Sequence, residues 1–248
     1  MITDLGQNSR LRTVLITGGS RGIGRALCFA FARAGWRVGV HYRERKAEAE
    51  HTVALMAHNG GEAMTYQADI RDPAQVEVMI KNVVATYGQL DVMICNAGVS
   101  TSHLLLRVTS EEWGDILATN LTGTFHCLQS AGRQMLEQDD GSIVVVSSYA
   151  GLHGDVGQSA YAASKAGLLG LVKAAALEWG RYNIRVNAVL PGWHQTELSS
   201  DAMPREAELK NHVLGRPPSL ESVAKSVYHL ATSEGMSGQV WNLDSRLS

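Results

Sequence analysis

Tyr161 and Lys165 are the first residues in this sequence whose types and spacing suggest chemistry. They lie four positions apart within a helical pattern that runs from Ala160 to Tyr182, so their side chains project from one face of the helix. A free phenol has a pKa of about 10, and a neighbouring ammonium group lowers that pKa by favouring the phenolate. The pair is therefore predicted to exchange a proton with a reacting oxygen near neutral pH.

A hydroxyl group suited to assist such a reaction follows a strongly apolar run. Ser148 comes directly after Ser142 to Ser147, which reads as a strand, and the carboxyl ends of parallel strands converge at one edge of a sheet. Its hydroxyl can donate a hydrogen bond to an oxygen that gains negative charge during a reaction. On position alone, Ser147 is an alternative for this role.

A glycine-rich turn links the first predicted strand to the first predicted helix. From Thr17 to Gly24 it reads Thr-Gly-Gly-Ser-Arg-Gly-Ile-Gly. Its glycines permit a tight turn and a close backbone approach, so a pyrophosphate can lie on the positive end of the helix. Because strand, turn and helix occur together in the first βαβ unit, the turn is predicted to bind a dinucleotide.

The order of these motifs gives the sequence a wider likeness. It resembles the short-chain dehydrogenase/reductase family over nearly its whole length, and within that family it is most similar to the 3-oxoacyl-[acyl-carrier-protein] reductase group. The motifs that carry the resemblance are the glycine turn, Asp69, Asn96-Ala97-Gly98, Asn120, Ser148, Tyr161-x-x-x-Lys165, and Pro191-Gly192 followed by Thr196.

The resemblance implies a catalytic set of Asn120, Ser148, Tyr161 and Lys165. During reduction of a carbonyl, Tyr161 would protonate the developing alkoxide while a nicotinamide delivers a hydride. Ser148 lies thirteen residues before Tyr161, as in the family, which favours it over Ser147. Lys165 is expected to hold the nicotinamide ribose, and Asn120 is expected to hold water in a proton relay.

The resemblance also implies which residues contact the cofactor. Asp69 and Ile70 are expected at the adenine, Asn96 to Gly98 near the ribose, and Thr196 at the nicotinamide amide. The full set is Thr17, Gly18, Ser20, Arg21, Gly22, Ile23, Gly24, Tyr42, Arg43, Asp69, Ile70, Asn96, Ala97, Gly98, Tyr161, Lys165, Pro191, Gly192 and Thr196.

Charge after the second predicted strand bears on the choice of cofactor. NAD sites usually place a carboxylate there to accept hydrogen bonds from the ribose 2′-hydroxyl, whereas this chain reads His41-Tyr42-Arg43. Arg43 and Arg21 can bind a 2′-phosphate through their fork-shaped donors, so NADP(H) is predicted. The alternative is that Arg43 is solvated and Glu44 turns inward to bind the ribose.

Short apolar runs alternate with longer helical patterns, which is the rhythm of a parallel sheet covered by helices on both faces. The sequence predicts one α/β domain over residues 1–248, a Rossmann-type doubly wound sheet of about seven parallel strands. The predicted strands are Thr13 to Thr17, Arg37 to His41, Ala63 to Gln67, Val92 to Asn96, Ser142 to Ser147, Arg185 to Leu190 and Gln239 to Leu243. The predicted helices are Gly24 to Ala34, Pro73 to Tyr87, Ser110 to Leu136, Ala160 to Tyr182 and Leu220 to Ala231.

Composition argues against several other functions. A net charge of −2 gives no general attraction to nucleic acid or to an anionic membrane, and no apolar run approaches the roughly 20 residues of a membrane span. Three scattered cysteines and nine scattered histidines predict neither disulfides nor a metal site. The N-terminus lacks the features of a signal peptide, so a cytoplasmic protein is expected.

The sequence gives conflicting indications of the substrate. A 3-oxoacyl thioester is implied by the resemblance, but Asp139 and Asp140 stand where that group typically places an arginine for docking an acidic carrier protein, and they would repel such a partner. Another small ketone or alcohol, such as a sugar, steroid, pterin or polyketide, is the alternative. A non-catalytic NADPH-binding sensor is a third hypothesis.

Further expectations concern the substrate side and assembly. A substrate lid is predicted around residues 193–218, and His153 or His194 could contact substrate. Asp244-Ser245-Arg246 replaces the Asp-Gly-Gly that is common in the group, a change without an evident purpose in the sequence. By resemblance, the protein is expected to be a homotetramer assembled through the helices at 110–136 and 160–182 and the final strand.

Overall fold

The computed structural model describes residues 10–194, 209 and 212–246, and it contains a parallel sheet of seven strands. The strand order is β3-β2-β1-β4-β5-β6-β7, so the direction of winding reverses between β1 and β4. Ligands of such sheets bind at this switch point, beyond the carboxyl ends of the strands. The strands are β1 Thr13–Ile16, β2 Arg37–Tyr42, β3 Ala63–Gln67, β4 Val92–Cys95, β5 Gly141–Val146, β6 Ile184–Leu190 and β7 Val240–Asn242.

The central strands are continuously apolar because helices cover both faces of the sheet. Every residue of β1, β4 and β5 is buried. Successive side chains enter opposite cores: Leu15 belongs to one buried cluster and Ile16 to the other. The predicted fold class, a doubly wound sheet of about seven parallel strands, is confirmed.

Two described helices, α2 at Lys46–His58 and α6 at Ala150–His153, had no counterpart in the sequence-based prediction. The first of these, α2, buries only Ala49, Thr52 and Met56, so its apolar stripe is narrow. The described helices are α1 Gly22–Arg33, α2 Lys46–His58, α3 Pro73–Tyr87, α4 Ser110–Leu117, α5 Gly123–Gln138, α6 Ala150–His153, α7 Ser159–Trp179 and α8 Leu220–Thr232.

The predicted helix from Ser110 to Leu136 is interrupted. Between α4 and α5, residues Ala118–Thr122 form a π-helical turn, in which hydrogen bonds span one residue more than in an α-helix. Asn120, one of the predicted catalytic residues, lies at the centre of this turn. Such turns are frequent at functional sites.

Most of the predicted lid, residues 195–208 with 210 and 211, lies outside the described residues, and Thr196 lies there too. The part that follows is joined to the end of the chain. The Val213 amide donates a hydrogen bond to the Ser245 carbonyl at 3.0 Å, and His212 bridges to Arg246. The segment at 212–214 is thus attached to the residues after β7.

The close approach of α5 and α7 gives a prediction about stability. A Cβ atom added at Gly132 would lie 2.7 Å from the Trp179 ring, so Gly132→Ala should force the two helices apart and lower the free energy of unfolding by about 1–3 kcal/mol. Gly170→Ala is the matched control, because a Cβ atom there meets open space and alanine is the better helix former. Urea unfolding of both variants checks this; equal stabilities would contradict the packing described.

Candidate active site

The end of β5 and the first turns of α7 bring three polar side chains together. Ser148 follows β5, and its hydroxyl shares a hydrogen bond with the phenol of Tyr161. Lys165 lies one turn further along α7, with Nζ 5.6 Å from the centre of the Tyr161 ring. Three of the four residues predicted to be catalytic therefore meet at the carboxyl edge of the sheet.

Lys165 is buried although its side chain carries an ammonium group. Its Nζ donates a hydrogen bond to the Val146 carbonyl at 2.8 Å. A Cβ atom at Gly98 would come within 3.6 Å of Nζ, so the glycine leaves the ammonium close to the backbone of that loop. Burial lowers the pKa of Lys165 to about 8, and the cation begins to lose its proton only slightly above neutral pH.

The phenol of Tyr161 behaves differently from the sequence-based expectation. Burial raises its pKa above the ordinary value, and the hydrogen bond with Ser148 offsets part of that rise. The expectation that Lys165 lowers the pKa of Tyr161 is therefore not met in the free protein, because burial of the phenol sets the direction of the shift and only the contact with Ser148 opposes it. Tyr161 is protonated at neutral pH and can act as a proton donor.

The two neighbouring serines have separate environments. Ser147 is buried, and its hydroxyl donates to the Lys165 backbone carbonyl at 2.8 Å. The hydroxyl of Ser148 contacts Tyr161 and accepts a hydrogen bond from the Ala150 amide at 3.3 Å. Ser147 thus fastens β5 to α7, and Ser148 is the serine that stands beside the phenol.

Asn120 is fully buried within the π-helical turn and contacts both the loop after β4 and α7. Its Oδ1 accepts from the Val99 amide at 2.8 Å, and its Nδ2 donates to the Val99 carbonyl at 2.9 Å. Nδ2 also donates to the hydroxyl of Ser164 at 3.1 Å. The side chain of Asn120 therefore ties the loop after β4 to α7, beside Lys165.

An open cleft lies along the switch point of the sheet, and one of its lining residues, Gly98, is the neighbour of Lys165 and Asn120. Thirteen residues of the predicted cofactor set line it: Gly18, Ser20, Arg21, Gly22, Ile23, Gly24, Tyr42, Arg43, Asp69, Ile70, Asn96, Ala97 and Gly98. Further lining residues, absent from the predicted set, are His41, Glu44, Arg45, Ala68, Val99 and Thr119.

Thr17 does not line this cleft but supports it from behind. Its hydroxyl accepts hydrogen bonds from the Asn96 amide at 2.9 Å and the Ala97 amide at 3.0 Å. Asn96 in turn donates from Nδ2 to the Thr17 carbonyl at 2.9 Å. Thr17 therefore joins the glycine turn to the loop after β4.

The glycine turn leaves unpaired donors at the start of α1. The first helical hydrogen bond runs from the Arg25 amide to the Arg21 carbonyl, so the amides of Gly22, Ile23 and Gly24 have no partner within the helix. A Cβ atom at Gly24 would lie 2.1 Å from the Gly18 carbonyl oxygen, so only glycine allows the turn to fold onto the helix. This cradle fits the pyrophosphate of a dinucleotide.

Charged side chains surround the far end of the cleft. Arg43 pairs with Glu44 at 2.8 Å, and both are exposed. The guanidinium of Arg71 pairs with Asp69 and holds the pKa of that carboxyl group below its usual value. Arg21 lies at the N-cap of α1 and adds a cation at the edge of the cleft.

Pro191 and Gly192 follow β6 and are not among the residues that line the cleft. Gly192 has a φ of +81°, and a Cβ atom there would lie 2.7 Å from the Cβ of Asp244. The buried Asp244 carboxylate pairs with Arg246, whose guanidinium lies 3.8 Å from the centre of the Tyr149 ring. The unusual C-terminal turn thus links the Pro191–Gly192 turn to the residue after Ser148.

Two histidines that were candidates for substrate contact already have protein partners. The ring of His153 stacks on Tyr149 with centres 4.2 Å apart. The ring of His194 is buried, and its Nε2 is 2.8 Å from the Pro191 carbonyl. Both therefore belong to the packing around the predicted substrate side.

Sequence reasoning missed several residues that shape the site. His41 was noted only as a neighbour of Arg43, yet it is buried and contacts the glycine turn. Gly151 packs against the backbone of Lys165, where a Cβ atom would come within 2.8 Å. A histidine inside an otherwise apolar strand was the available signal for His41, whereas the role of Gly151 depends on contacts between distant segments.

No helix within the described residues is long and apolar enough to cross a membrane. Within the same ranges, no group of three or more histidine, cysteine or acidic side chains could hold a metal ion.

A doubly wound sheet with a dinucleotide cradle and a tyrosine–lysine pair at its carboxyl edge defines a nucleotide-binding oxidoreductase, and the chain belongs to the short-chain dehydrogenase family. The family model for short chain dehydrogenases matches residues 12–207. The family uses a nicotinamide cofactor.

Several individual proteins are similar to the chain. A Staphylococcus aureus protein named 3-oxoacyl-[acyl-carrier-protein] reductase FabG is 42% identical over 207 residues, which cover 84% of this chain and 83% of the relative. A Synechocystis protein named 3-oxoacyl-[acyl-carrier-protein] reductase is 36% identical over 94% of this chain and 95% of its own. A crystal structure provisionally assigned as a short-chain alcohol dehydrogenase from Sinorhizobium meliloti 1021 aligns with a TM-score of 0.89 at 32% identity, covering 94% of this chain and 95% of that one.

The buried His41 predicts a loss of stability in acid. Burial lowers its pKa from 6.5 to about 4, so between these values the unfolded chain binds a proton that the folded protein excludes. Stability is therefore retained above pH 6.5 and falls as the pH drops towards 4. Between pH 7 and pH 5, the wild type should lose about 2 kcal/mol more than His41→Asn. Urea unfolding at both pH values checks this; parallel losses would contradict it.

Proposed function

We propose that the protein is an NADPH-dependent carbonyl reductase that acts on a 3-oxoacyl thioester and forms the 3-hydroxyacyl product. The observation that carries the proposal is the hydrogen-bonded pair of Ser148 and Tyr161 beside buried Lys165, which neighbours Gly98 in the lining of a cleft with a dinucleotide cradle. The names of the relatives from Staphylococcus aureus and Synechocystis support the choice of substrate class.

The proposed mechanism assigns proton transfer to the side chains of the chain. When bound, the nicotinamide supplies the hydride for the carbonyl carbon. Ser148 donates a hydrogen bond to the carbonyl oxygen as negative charge develops, and Tyr161 gives its proton to the resulting alkoxide. The raised pKa of Tyr161 suits this direction, because it keeps the phenol protonated before the reaction.

Lys165 and Asn120 support the proton donor in this proposal. The ammonium of Lys165 stabilises the phenolate that remains once Tyr161 has given up its proton, and it would hold the nicotinamide ribose. Asn120 fixes the backbone of Val99 and the hydroxyl of Ser164, which keeps the adjoining loop and α7 in register. We retain the proton-relay role of Asn120 as part of the proposal.

The choice of NADP(H) rests on the cations around the far end of the cleft. Arg21, Arg43 and Arg45 line it, and Asp69 is already paired with Arg71. Glu44 is paired with Arg43 and largely exposed, which supports an arginine rather than a carboxylate at the ribose 2′ position. The remaining residues of the predicted cofactor set, with Thr196 near the nicotinamide, are part of the same proposal.

A second candidate function, reduction of a free small ketone, is favoured by one observation. Asp140 stands just before β5 and pairs with Arg185 at 3.3 Å, and it also accepts from Asn183 at 3.0 Å. The ion pair neutralises the positive charge of Arg185, so the surface before β5 offers little attraction to an acidic carrier protein. A ketone or thioester that binds without a carrier protein is therefore favoured over a carrier-linked substrate.

The proposal extends to the state of the protein in the cell. We propose that residues 1–248 form one domain and that the enzyme is a cytoplasmic homotetramer. The exposed side chains of Phe125 on α5 and Leu177 on α7 support assembly through these helices, since 41% and 87% of their surfaces are accessible.

Turnover tests the proposed reaction. With NADPH, the wild type should reduce acetoacetyl-CoA more efficiently than a carrier-linked 3-oxoacyl chain, and Tyr161→Phe should lower kcat by about 100-fold or more because it removes the proton donor. Tyr182→Phe is the control, an exposed tyrosine beside Arg181. NADPH consumption at 340 nm on a panel that includes diketones is the measurement.

The outcomes of this assay separate the candidates. Activity on diketones alone would reject the thioester and support the second candidate, and full activity of Tyr161→Phe would remove this phenol from the mechanism. NADPH binding without turnover on any member of the panel would favour a non-catalytic sensor.

Cofactor preference tests the arginine at the cleft. Arg43→Asp should lower the ratio of kcat/KM for NADPH to that for NADH by about tenfold or more, because a carboxylate repels the 2′-phosphate. Lys46→Asp makes the same change in charge three positions away, where the side chain is exposed and pairs with Glu50. Steady-state kinetics with both cofactors give the ratio. An unchanged ratio in Arg43→Asp would place 2′-phosphate recognition elsewhere.

A further inference from the structure

We infer that His41 is a positioning residue for the cofactor, acting as a neutral hydrogen-bond acceptor that fixes the peptide of Gly18. The inference rests on the proposed function and deepens it, because His41 belongs to neither the predicted catalytic set nor the predicted cofactor set. Its ring lies between the glycine turn and the end of β3 and is 2% exposed.

The hydrogen bonds of the ring define its protonation state. Nδ1 lies 3.0 Å from the Gly18 amide nitrogen, which can only donate. Nε2 lies 2.9 Å from the Ala68 carbonyl oxygen, which can only accept. The ring must therefore carry its single proton on Nε2 and present a lone pair at Nδ1. No other tautomer and no protonated form satisfies both partners.

As a result, both the amide and the carbonyl of Gly18 form hydrogen bonds with other groups of the protein. Its amide is held by His41, and its carbonyl accepts from Asn96 Nδ2 at 3.3 Å and packs against Gly24. The next amide, of Gly19, donates to the backbone carbonyl of His41 at 3.0 Å. With this part of the turn fixed, the unpaired amides at the start of α1 are the donors left to face a pyrophosphate.

A side chain of the same size without an acceptor would fill the space but would leave the buried Gly18 amide unpaired. That amide would then be free to rotate out of the turn, which carries a φ of +65° at this glycine. Protonation of His41 would place an N–H group against the amide N–H and disturb the turn in the same way. The charged group that faces His41 is Asp69, which favours protonation but is paired with Arg71.

Two substitutions separate the contacts of the ring. His41→Asn places an amide oxygen at the position of Nδ1 and keeps the acceptor for Gly18, whereas His41→Gln reaches towards the position of Nε2 and keeps the contact with Ala68. His41→Leu removes both contacts and is included as a further apolar replacement. His58→Asn is the control, since His58 lies exposed at the end of α2.

The measurement is the Kd of NADPH and of NADH for each variant at pH 7.5, by isothermal titration calorimetry without substrate, with Tm recorded for each protein. His41→Asn should bind within about threefold of the wild type. His41→Gln and His41→Leu should bind about tenfold more weakly, as expected for one unpaired buried amide.

The possible results distinguish a failure of the inference about His41 from a failure of the proposed function. Equal affinity of all folded variants would overturn the inference, and so would an asparagine variant as weak as the leucine variant. Should His41→Gln fail to fold, the comparison of His41→Asn with His41→Leu decides in the same way. A wild type that binds neither cofactor would overturn the proposed function itself, whereas binding by the wild type without differences among the variants overturns only the role of His41.

Discussion

The burial of one ammonium group is the constraint on which the arrangement of the site depends. A buried cation is costly unless it is hydrogen-bonded, and Lys165 meets that need at the Val146 carbonyl. The same stretch of α7 receives the hydroxyl of Ser147 and packs against Gly151. The loop after β5 is thereby held to α7 on both sides of Ser148, which fixes the serine hydroxyl beside the phenol of Tyr161.

The loop after β4 joins this cluster of side chains to the cleft at the switch point of the sheet. Gly98 lies between Asn120 and Lys165, and a Cβ atom there would come within 3.2 Å of the Asn120 amide oxygen. Val99 is held at both its amide and its carbonyl by Asn120, while Asn96 is tied to Thr17 in the glycine turn. One short loop therefore carries contacts from the glycine turn to Lys165, so the two halves of the site are not independent.

Sequence alone predicted the features that depend on local pattern. Short apolar runs identified the strands. The glycine turn and the Tyr161–Lys165 spacing can be recognised in the sequence without a structure. Features set by contacts between distant segments were not accessible: the raised pKa of Tyr161 arises from burial, and the π-helical turn accompanies the contacts of Asn120 with Val99 and Ser164. The contact of Arg246 with Tyr149 likewise joins residues nearly a hundred positions apart.

The π-helical turn at Ala118–Thr122 also changes how the surrounding sequence must be compared with others. Each residue in an α-helix advances the chain by about 100°, so one extra residue rotates everything after it relative to what came before. Accordingly, α4 packs against α7, whereas α5 adds contacts with α3 and β5 to its contact with α7. An alignment gap placed inside this turn would assign the residues beyond it to the wrong side of the helix, and correct gap placement here is a sensitive check on any evolutionary comparison of such chains.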